Sequence, residues 1–209
     1  MNDLSYPSML QQAIEFASHL SLENVNWKKF EYKYQSESEA REIVQLVNGE
    51  LFDFIEAHFG SYPYWGNMCL NLSVAAFCYL KMKGYDAELV YGNVNVNNSP
   101  DDEFDVSRDS LANEYLNKID HGEQNIHAWV GLGGDIVLDF ALMPRLIKLY
   151  RYPSTSGDVI LGPADYLKQV LKVSYKPLLV GTDFFKVTNS FDPLRMLEDL
   201  KNKVSDMEY

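Results

Sequence analysis

Cysteine is scarce in this chain, because Cys69 and Cys78 are the only thiols among its 209 residues. Two cysteines cannot build the disulfide framework of a small secreted domain. The opening residues, Met1 to Leu4, also lack the basic and then apolar pattern of a signal peptide. These absences argue against a disulfide-rich secreted domain, and we expect reduced thiols and a cytoplasmic location.

Positive charge is scarce as well, since 18 Lys and Arg residues stand against 30 Asp and Glu residues and leave a formal net charge of −12. Such a surface repels phosphate backbones and anionic membrane surfaces. Long apolar runs are missing too, and none approaches the roughly 18 residues that a membrane-spanning helix needs. The sequence therefore predicts neither a nucleic-acid partner nor a membrane partner.

What remains is the composition of an ordinary globular protein, with 46% hydrophobic and 23% charged residues. The length fits one domain with additions better than it fits two domains. No internal repeat or linker-like segment divides the chain. We predict a single domain over residues 1–209.

Helical periodicity dominates the first 60 residues. Apolar residues recur every three or four positions from Met9 to Leu20 and predict a first helix. Ser36 and Glu39 form a capping box for a second helix, which we expect to end at Gly60. Between the two helices, the segment Trp27–Tyr34 alternates aromatic and charged residues and fits either a short strand or a loop.

An aromatic loop, Ser61–Gly66, precedes the next predicted helix. Asn67 is placed to cap that helix, which runs to about Lys83 and stops at Gly84. The segment Ala87–Val96 is rich in β-branched residues and predicts a strand.

A polar, acidic loop at 97–109 and a short helix at 111–119 follow. Two apolar runs, 126–132 and 135–140, then flank a pair of glycines and predict a β-hairpin.

The C-terminal third carries weaker patterns. Pro163 can open a helix, residues Phe184–Val187 favour a short strand, and Asp192 and Pro193 can begin a last amphipathic helix.

Three residues are the candidates for a catalytic site: Cys69, His127 and Asp139. Cys69 lies in the first turn of a predicted helix, where free N–H groups and the helix dipole favour a thiolate. His127 and Asp139 lie on the two strands of the predicted hairpin. A nucleophilic thiol, an imidazole base and a carboxylate that orients the imidazole form a general arrangement for covalent catalysis.

The hairpin tests this hypothesis geometrically. A two-residue turn at Gly133 and Gly134 would pair His127 with Phe140, and Asp139 would point to the opposite face of the sheet. For His127 to face Asp139, the turn must be centred on Gly133 and have an odd number of residues, or the hairpin must contain a bulge.

Covalent attack on a carbonyl also needs donors for the developing oxyanion. The backbone N–H of Cys69 is the first candidate, and the second can come from Trp65, Asn67, Tyr62 or Tyr64. Ser73 lies one turn after Cys69, so it either lines the site or packs in the core. Trp129 fits a core position better than a platform for substrate.

A metal site made of Cys69, His127 and Asp139 is a weaker alternative, because these residues lack the close paired spacing of zinc ligands. We expect no metal and no cofactor. The acidic run Asp101–Asp105 is either a solvated loop or a border of the site that attracts a basic substrate.

The order of these features resembles the transglutaminase-like superfamily. The segments that carry the resemblance are Asn67–Ser73, Ala87–Val94, His127–Val130 and Val137–Phe140, with Gly84 after the cysteine helix. The resemblance covers about residues 62–141, which would form the core, with a helical region at 1–60 before it and an extension at 142–209 after it.

This resemblance implies an α+β fold with a papain- or transglutaminase-like core. The helix bearing the cysteine would pack on an antiparallel sheet bearing the histidine and the aspartate, with extra helices at both termini. Cys69 would be the nucleophile, His127 the base and Asp139 the orienting residue of a thioester mechanism acting on a peptide, a protein or a small amide or ester. A peptidase or amidase is favoured; an amine-directed acyltransferase and a non-catalytic binding or scaffolding module are the alternatives.

Overall fold

Helices surround an antiparallel sheet in the computed structural model, which describes residues 4–22, 37–120, 125–154 and 158–207. In this part of the chain the architecture is α+β, with one five-stranded sheet. The coarse fold class predicted from the sequence is confirmed.

The N-terminal helices follow the predicted apolar periodicity. Helix α1 spans Tyr6–His19, starts with a proline in its first turn, and buries one apolar face against the core. Helix α2 spans Glu37–Leu46 and is joined to α3, Phe52–Phe59, by the segment Val47–Leu51, in which Gly49 leaves the helical conformation and kinks the chain. Gly60 follows α3 as predicted.

Two predictions for the N-terminal region fall on residues outside the described ranges. These are the capping serine, Ser36, and the segment Trp27–Tyr34.

Helix α4 spans Cys69–Met82 and carries the predicted nucleophile at its first residue. The prediction that Asn67 caps this helix is wrong. A 3₁₀ turn over Trp65–Asn67 comes first, and Met68 occupies the N-cap position without a side-chain cap. Gly84 follows with φ of +86°, a left-handed conformation that suits glycine and ends the helix.

The sheet has the strand order β4-β3-β2-β1-β5, and every neighbouring pair is antiparallel. Its strands are β1 (Ala87–Val96), β2 (His127–Leu132), β3 (Ile136–Asp139), β4 (Ile160–Pro163) and β5 (Val173–Val180). The central strands are fully buried, which explains why β2 and β3 are continuous apolar runs.

Helix α5 spans Arg108–Leu116, so the loop that we expected to extend to residue 109 ends at Ser107. The reason is a capping box in which the side chains of Ser107 and Ser110 each accept a hydrogen bond from the other residue's backbone N–H.

The C-terminal third departs most from the prediction. Helix α6, Leu142–Tyr150, and strands β4 and β5 were not predicted. Helix α7 spans Ala164–Val170 directly after Pro163, and α9 spans Pro193–Met207, both in agreement with the prediction.

The strand predicted at Phe184–Val187 is wrong, because these residues belong to helix α8, Thr182–Thr188. Phe184, Phe185 and Thr188 are buried at a helical spacing. A short apolar run does not by itself distinguish a strand from a buried helix.

The β2–β3 hairpin places His127 and Asp139 on one face of the sheet, as the site hypothesis requires. Its pairing register, however, differs from the predicted one. Leu132 pairs with Ile136, which leaves a three-residue loop centred on Gly134 instead of the expected Gly133. An odd-length loop still places His127 and Asp139 on the same face, because side chains alternate along each strand. The two residues are therefore diagonal neighbours and not direct cross-strand partners.

Packing joins the cysteine helix to the histidine strand. Helix α4 packs against β2 and against α9, while α1 packs against β5. Cys78 is fully buried, and its Sγ donates a hydrogen bond to the carbonyl oxygen of Pro193 at 3.2 Å, which confirms its predicted core position. Within the described residues, no helix combines the length and the apolar character needed to cross a bilayer.

Gly92 generates a stability prediction, because it sits at an irregularity in the β1–β5 pairing. A Cβ atom at this position would lie 2.1 Å from the carbonyl oxygen of Lys176, and a backbone atom cannot move aside cheaply. We expect Gly92→Ala to lower the free energy of unfolding by about 1–3 kcal/mol. Urea denaturation followed by circular dichroism measures this loss, and an unchanged midpoint would contradict the packing described here.

Candidate functional site

Cys69 is the first residue of α4, so its thiol lies where the N–H groups of the first helical turn have no partner within the helix. The residue is 9% exposed. Its Sγ lies 3.5 Å from the carbonyl oxygen of Ile126 and donates a hydrogen bond to it. The thiol is thus held against the residue that immediately precedes His127 in the chain.

Ser73 fixes the helix to the same strand one turn further on. It is buried, and its Oγ donates to the carbonyl oxygen of Ala128 at 2.9 Å. The carbonyls that accept from Cys69 and Ser73 belong to the residues on either side of His127. Of the two roles that the sequence left open for Ser73, the hydrogen bond supports packing, because it aligns α4 with β2.

His127 and Asp139 form a short, buried pair. Nε2 of His127 lies 2.6 Å from Oδ2 of Asp139, and both residues are only 1% exposed. Nδ1 of the ring is also buried and has no hydrogen-bond partner among the described residues. Nε2 is engaged by the carboxylate, so Nδ1 is the ring nitrogen that remains unbonded among the described residues.

Asp139 is held by the start of the next helix as well as by His127. The backbone N–H groups of Ala141 and Leu142 donate to Oδ1 at 2.8 and 3.0 Å. Leu142 is the first residue of α6, so the carboxylate lies at the positive end of a helix. The hydroxyl of Tyr175 donates to Oδ2 at 2.9 Å. This environment favours the ionised carboxylate.

The protonation of the pair follows from these contacts. Burial alone would lower the pKa of His127, but the charge and hydrogen bond of Asp139, together with Cys69, raise it to about 10. Burial alone would raise the pKa of Asp139, but His127 and the two backbone donors hold it below its ordinary value. We conclude that the pair is an imidazolium and a carboxylate at neutral pH.

Aromatic rings enclose the imidazole. Phe104 stacks on it with ring centroids 5.0 Å apart and planes 16° apart, and Trp129 stacks at 5.9 Å and 27°. The indole N–H of Trp129 donates to the hydroxyl of Tyr6 on α1 at 2.9 Å. Trp129 is fully buried, as predicted for a core residue, and it supports the histidine ring.

Phe104 itself is held by a polar network. Nε of Arg145 lies 2.6 Å from Oε1 of Glu103, and its guanidinium carbon lies 5.1 Å from the centre of the Phe104 ring. The hydroxyl of Tyr150 also donates to Glu103, and Nη1 of Arg145 reaches Oδ1 of Asn67 at 3.5 Å. Arg145 therefore connects α6, the segment over His127 and the turn before Cys69.

The acidic run Asp101–Asp105 lies beside the site, since it includes Glu103 and Phe104. Asp102 pairs with Lys176 on β5 at 2.6 Å. Two of its carboxylates are thus paired within the protein. Whether this run attracts a basic substrate stays a prediction.

The candidate second oxyanion donors differ in what they already bind. The indole N–H of Trp65 donates to the carbonyl oxygen of Phe59 at 3.0 Å, so this donor is already used. Lys148 Nζ lies 4.0 Å above the ring of Tyr64, and Tyr62 is more than half exposed. Asn67 is exposed, and its side-chain oxygen, not its amide N–H₂, contacts Arg145. Its N–H₂ group therefore remains a candidate donor, two residues before Cys69 in the chain.

A metal has little to bind here. Across residues 4–22, 37–120, 125–154 and 158–207, no group of three or more His, Cys, Asp and Glu side chains is arranged to hold an ion.

Three residues that contact the site were not predicted from the sequence: Phe104, Arg145 and Tyr175. Each lies far along the chain from Cys69 and His127, and no local spacing relates them to these residues. The only available signal was the acidic run around Phe104, which the sequence offered as a possible border of the site.

Comparisons of the chain with protein-family models, with curated proteins and with solved structures found no match. The interpretation of the site therefore depends on its own geometry.

The buried pair predicts a specific pH dependence of stability. The pKa of His127 is raised from 6.5 to about 10, so its contribution is complete below pH 6.5 and is lost as the pH rises through 10. We expect the free energy of unfolding to fall between these values. Asp139→Asn should remove this fall and cost roughly 3 kcal/mol at neutral pH, because it leaves the imidazole buried without its counter-charge.

Urea unfolding at a series of pH values measures both effects. Asp101→Asn is the matched control, because it removes the same charge from an exposed position. Equal pH dependence in the wild type and Asp139→Asn would rule out the ion pair.

Proposed function

We propose that this protein is a thiol-dependent acyl-transfer enzyme of the transglutaminase-like type, with Cys69 as nucleophile, His127 as base and Asp139 as orienting residue. The observation that carries the proposal is the placement of a thiol at a helix N-terminus beside a buried imidazole whose far nitrogen lies 2.6 Å from a carboxylate. The order of the elements agrees with the resemblance: a cysteine helix, a histidine strand and an aspartate on the next strand.

The proposed reaction begins from the state in which the proton of the Cys69 thiol already resides on Nδ1 of His127, so that the ring is an imidazolium and Cys69 is a thiolate. The Cys69 thiolate attacks the carbonyl carbon of an amide or ester, and the carbonyl π electrons move to oxygen. When the tetrahedral intermediate collapses, the carbon–nitrogen or carbon–oxygen bond breaks, and His127 gives its proton to the leaving amine or alcohol. The product of this half-reaction is a thioester on Cys69.

The second half-reaction mirrors the first. Water or an amine loses a proton to His127 and attacks the thioester carbon, and the thiolate leaves. Asp139 keeps Nε2–H pointed at itself throughout, so that Nδ1 stays directed toward Cys69. The backbone N–H of Cys69 and the amide group of Asn67 are the candidate donors to the oxyanion.

Hydrolysis, as a peptidase or amidase, is the preferred outcome, because water requires no second binding site. An amine acceptor would make the protein an acyltransferase instead. Peptides, proteins and small amides or esters are the candidate substrates.

The closed geometry around Cys69 and His127 favours a second candidate, a non-catalytic binding module that retains the arrangement. The thiol hydrogen bond goes to Ile126, Nδ1 of His127 has no hydrogen-bond partner among the described residues, and Phe104 covers the ring. A protein that never turns over could keep such a closed site. The two candidates differ in whether Cys69 reacts.

Acylation by p-nitrophenyl acetate tests the proposal without a known substrate. We expect a burst of p-nitrophenolate and an acetyl group on Cys69, detected by mass spectrometry of the digested protein. Cys69→Ala should abolish the burst, and His127→Gln should slow it about 100-fold, the usual contribution of a general base. Adding a primary amine distinguishes transfer from hydrolysis.

Cys78 provides an internal control for the same experiment. Burial raises the pKa of its thiol to about 12, so it should remain unmodified in every variant. Modification of Cys69 at equal rates in the wild type and His127→Gln would contradict the enzyme and favour the binding module.

A further inference from the structure

Tyr175 is a buried polar residue that the mechanism above does not use. It lies on β5, is 2% exposed, and donates its hydroxyl hydrogen to Oδ2 of Asp139 at 2.9 Å. Its ring meets Trp129 edge-on at 5.1 Å and lies 6.4 Å from the ring of His127. It therefore contacts both the carboxylate and the rings that support the imidazole.

The register of the sheet explains how a residue from β5 reaches this site. Gly92 on β1 pairs with His127, and Val94 on the same strand pairs with Tyr175. Gly92 and Val94 are two residues apart and share a face, so their partners also share that face. His127 and Tyr175 therefore lie on the same face of the sheet, although β1 separates their strands.

Tyr175 completes the set of donors around Asp139. Oδ1 accepts from two backbone N–H groups, and Oδ2 accepts from Nε2 of His127 and from the phenol. A carboxylate has about four acceptor sites, and here all four are used. A buried carboxylate that lost one donor would pay a desolvation penalty and would be freer to rotate or to bind a proton.

We propose that Tyr175 is a positioning residue for the Cys69–His127–Asp139 arrangement, because its hydroxyl holds Asp139 in the ionised form and in the orientation that directs Nδ1 of His127 toward Cys69. This inference rests on the proposed function.

The surroundings keep the phenol in the donor form. Burial and the charge of Asp139 raise the pKa of Tyr175 well above its ordinary value. The titratable groups that face this cluster are His127 on β2, Cys69 on α4 and Tyr6 on α1. None of them competes for the phenol hydrogen, which goes to Asp139.

Tyr175→Phe tests the inference, because it removes one oxygen and keeps the ring. We expect the Asp139 carboxyl to take up its proton about one pH unit higher, since the ionised form loses a charge-assisted hydrogen bond. Carbon-13 NMR of labelled aspartate follows this titration. The rate of Cys69 alkylation by iodoacetamide at pH 7 should fall about tenfold, the size of one such bond.

Tyr91→Phe is the matched control. Tyr91 is equally buried on β1, but it lies one residue before Gly92 and so on the opposite face of the sheet. This variant should leave both the Asp139 titration and the alkylation rate unchanged. A second test variant, 3-fluorotyrosine at position 175, keeps the hydroxyl and makes it a stronger donor. It should move the Asp139 titration to lower pH. This variant provides the test if Tyr175→Phe does not fold.

The outcomes separate the inference from the function on which it rests. An unchanged Asp139 titration in Tyr175→Phe, or an unchanged titration with 3-fluorotyrosine, overturns the positioning role even if Cys69 is acylated normally. A shifted titration together with slower alkylation supports it. A failure of the wild type to be acylated overturns the proposed function, whereas the Asp139 titration still reports on the hydrogen bond.

Discussion

The buried ion pair between His127 and Asp139 is the interaction on which the candidate site depends. Burying two opposite charges away from solvent costs free energy unless their remaining hydrogen-bond donors and acceptors are satisfied. The fold meets this condition for the carboxylate through the start of α6 and through Tyr175. The cost of burying the pair is thus offset by two elements that follow the hairpin in the chain.

The same constraint explains the arrangement of the helices around the site. Hydrogen bonds from Cys69 and Ser73 to the chain on either side of His127 set the position of helix α4 along β2. Helix α6 must begin just after Asp139, since its first N–H groups bind the carboxylate. Arg145, one turn into α6, then contacts both Glu103 and Asn67 and closes the site from outside.

The enclosure of the site has a chemical consequence. Phe104 and Trp129 stack on the buried imidazole and keep water away from it, which strengthens its interaction with Asp139. A thiolate formed beside the imidazolium would be stabilised by the same low dielectric.

Local sequence patterns were sufficient to predict the elements that carry Cys69, His127 and Asp139. The apolar run after Cys69, the β-branched segment at Ala87–Val96 and the glycine-interrupted hairpin each appear in the structure close to their predicted bounds. The odd-length turn followed from the requirement that His127 and Asp139 share a face. These features depend on residues close together in the chain, so periodicity and turn chemistry determine them.

Tertiary structure alone decided the rest. The helix at Thr182–Thr188 was mistaken for a strand because a short apolar run fits either element, and its helical pattern of burial exists only in the folded protein. Phe104, Arg145 and Tyr175 reach the site from three separate segments, and no spacing in the sequence relates them to Cys69. The sequence by itself determined the candidate groups, Cys69, His127 and Asp139, and the elements that carry them. Long-range packing decided what surrounds them, because hydrogen bonds and ring contacts between distant segments exist only once the sheet has paired.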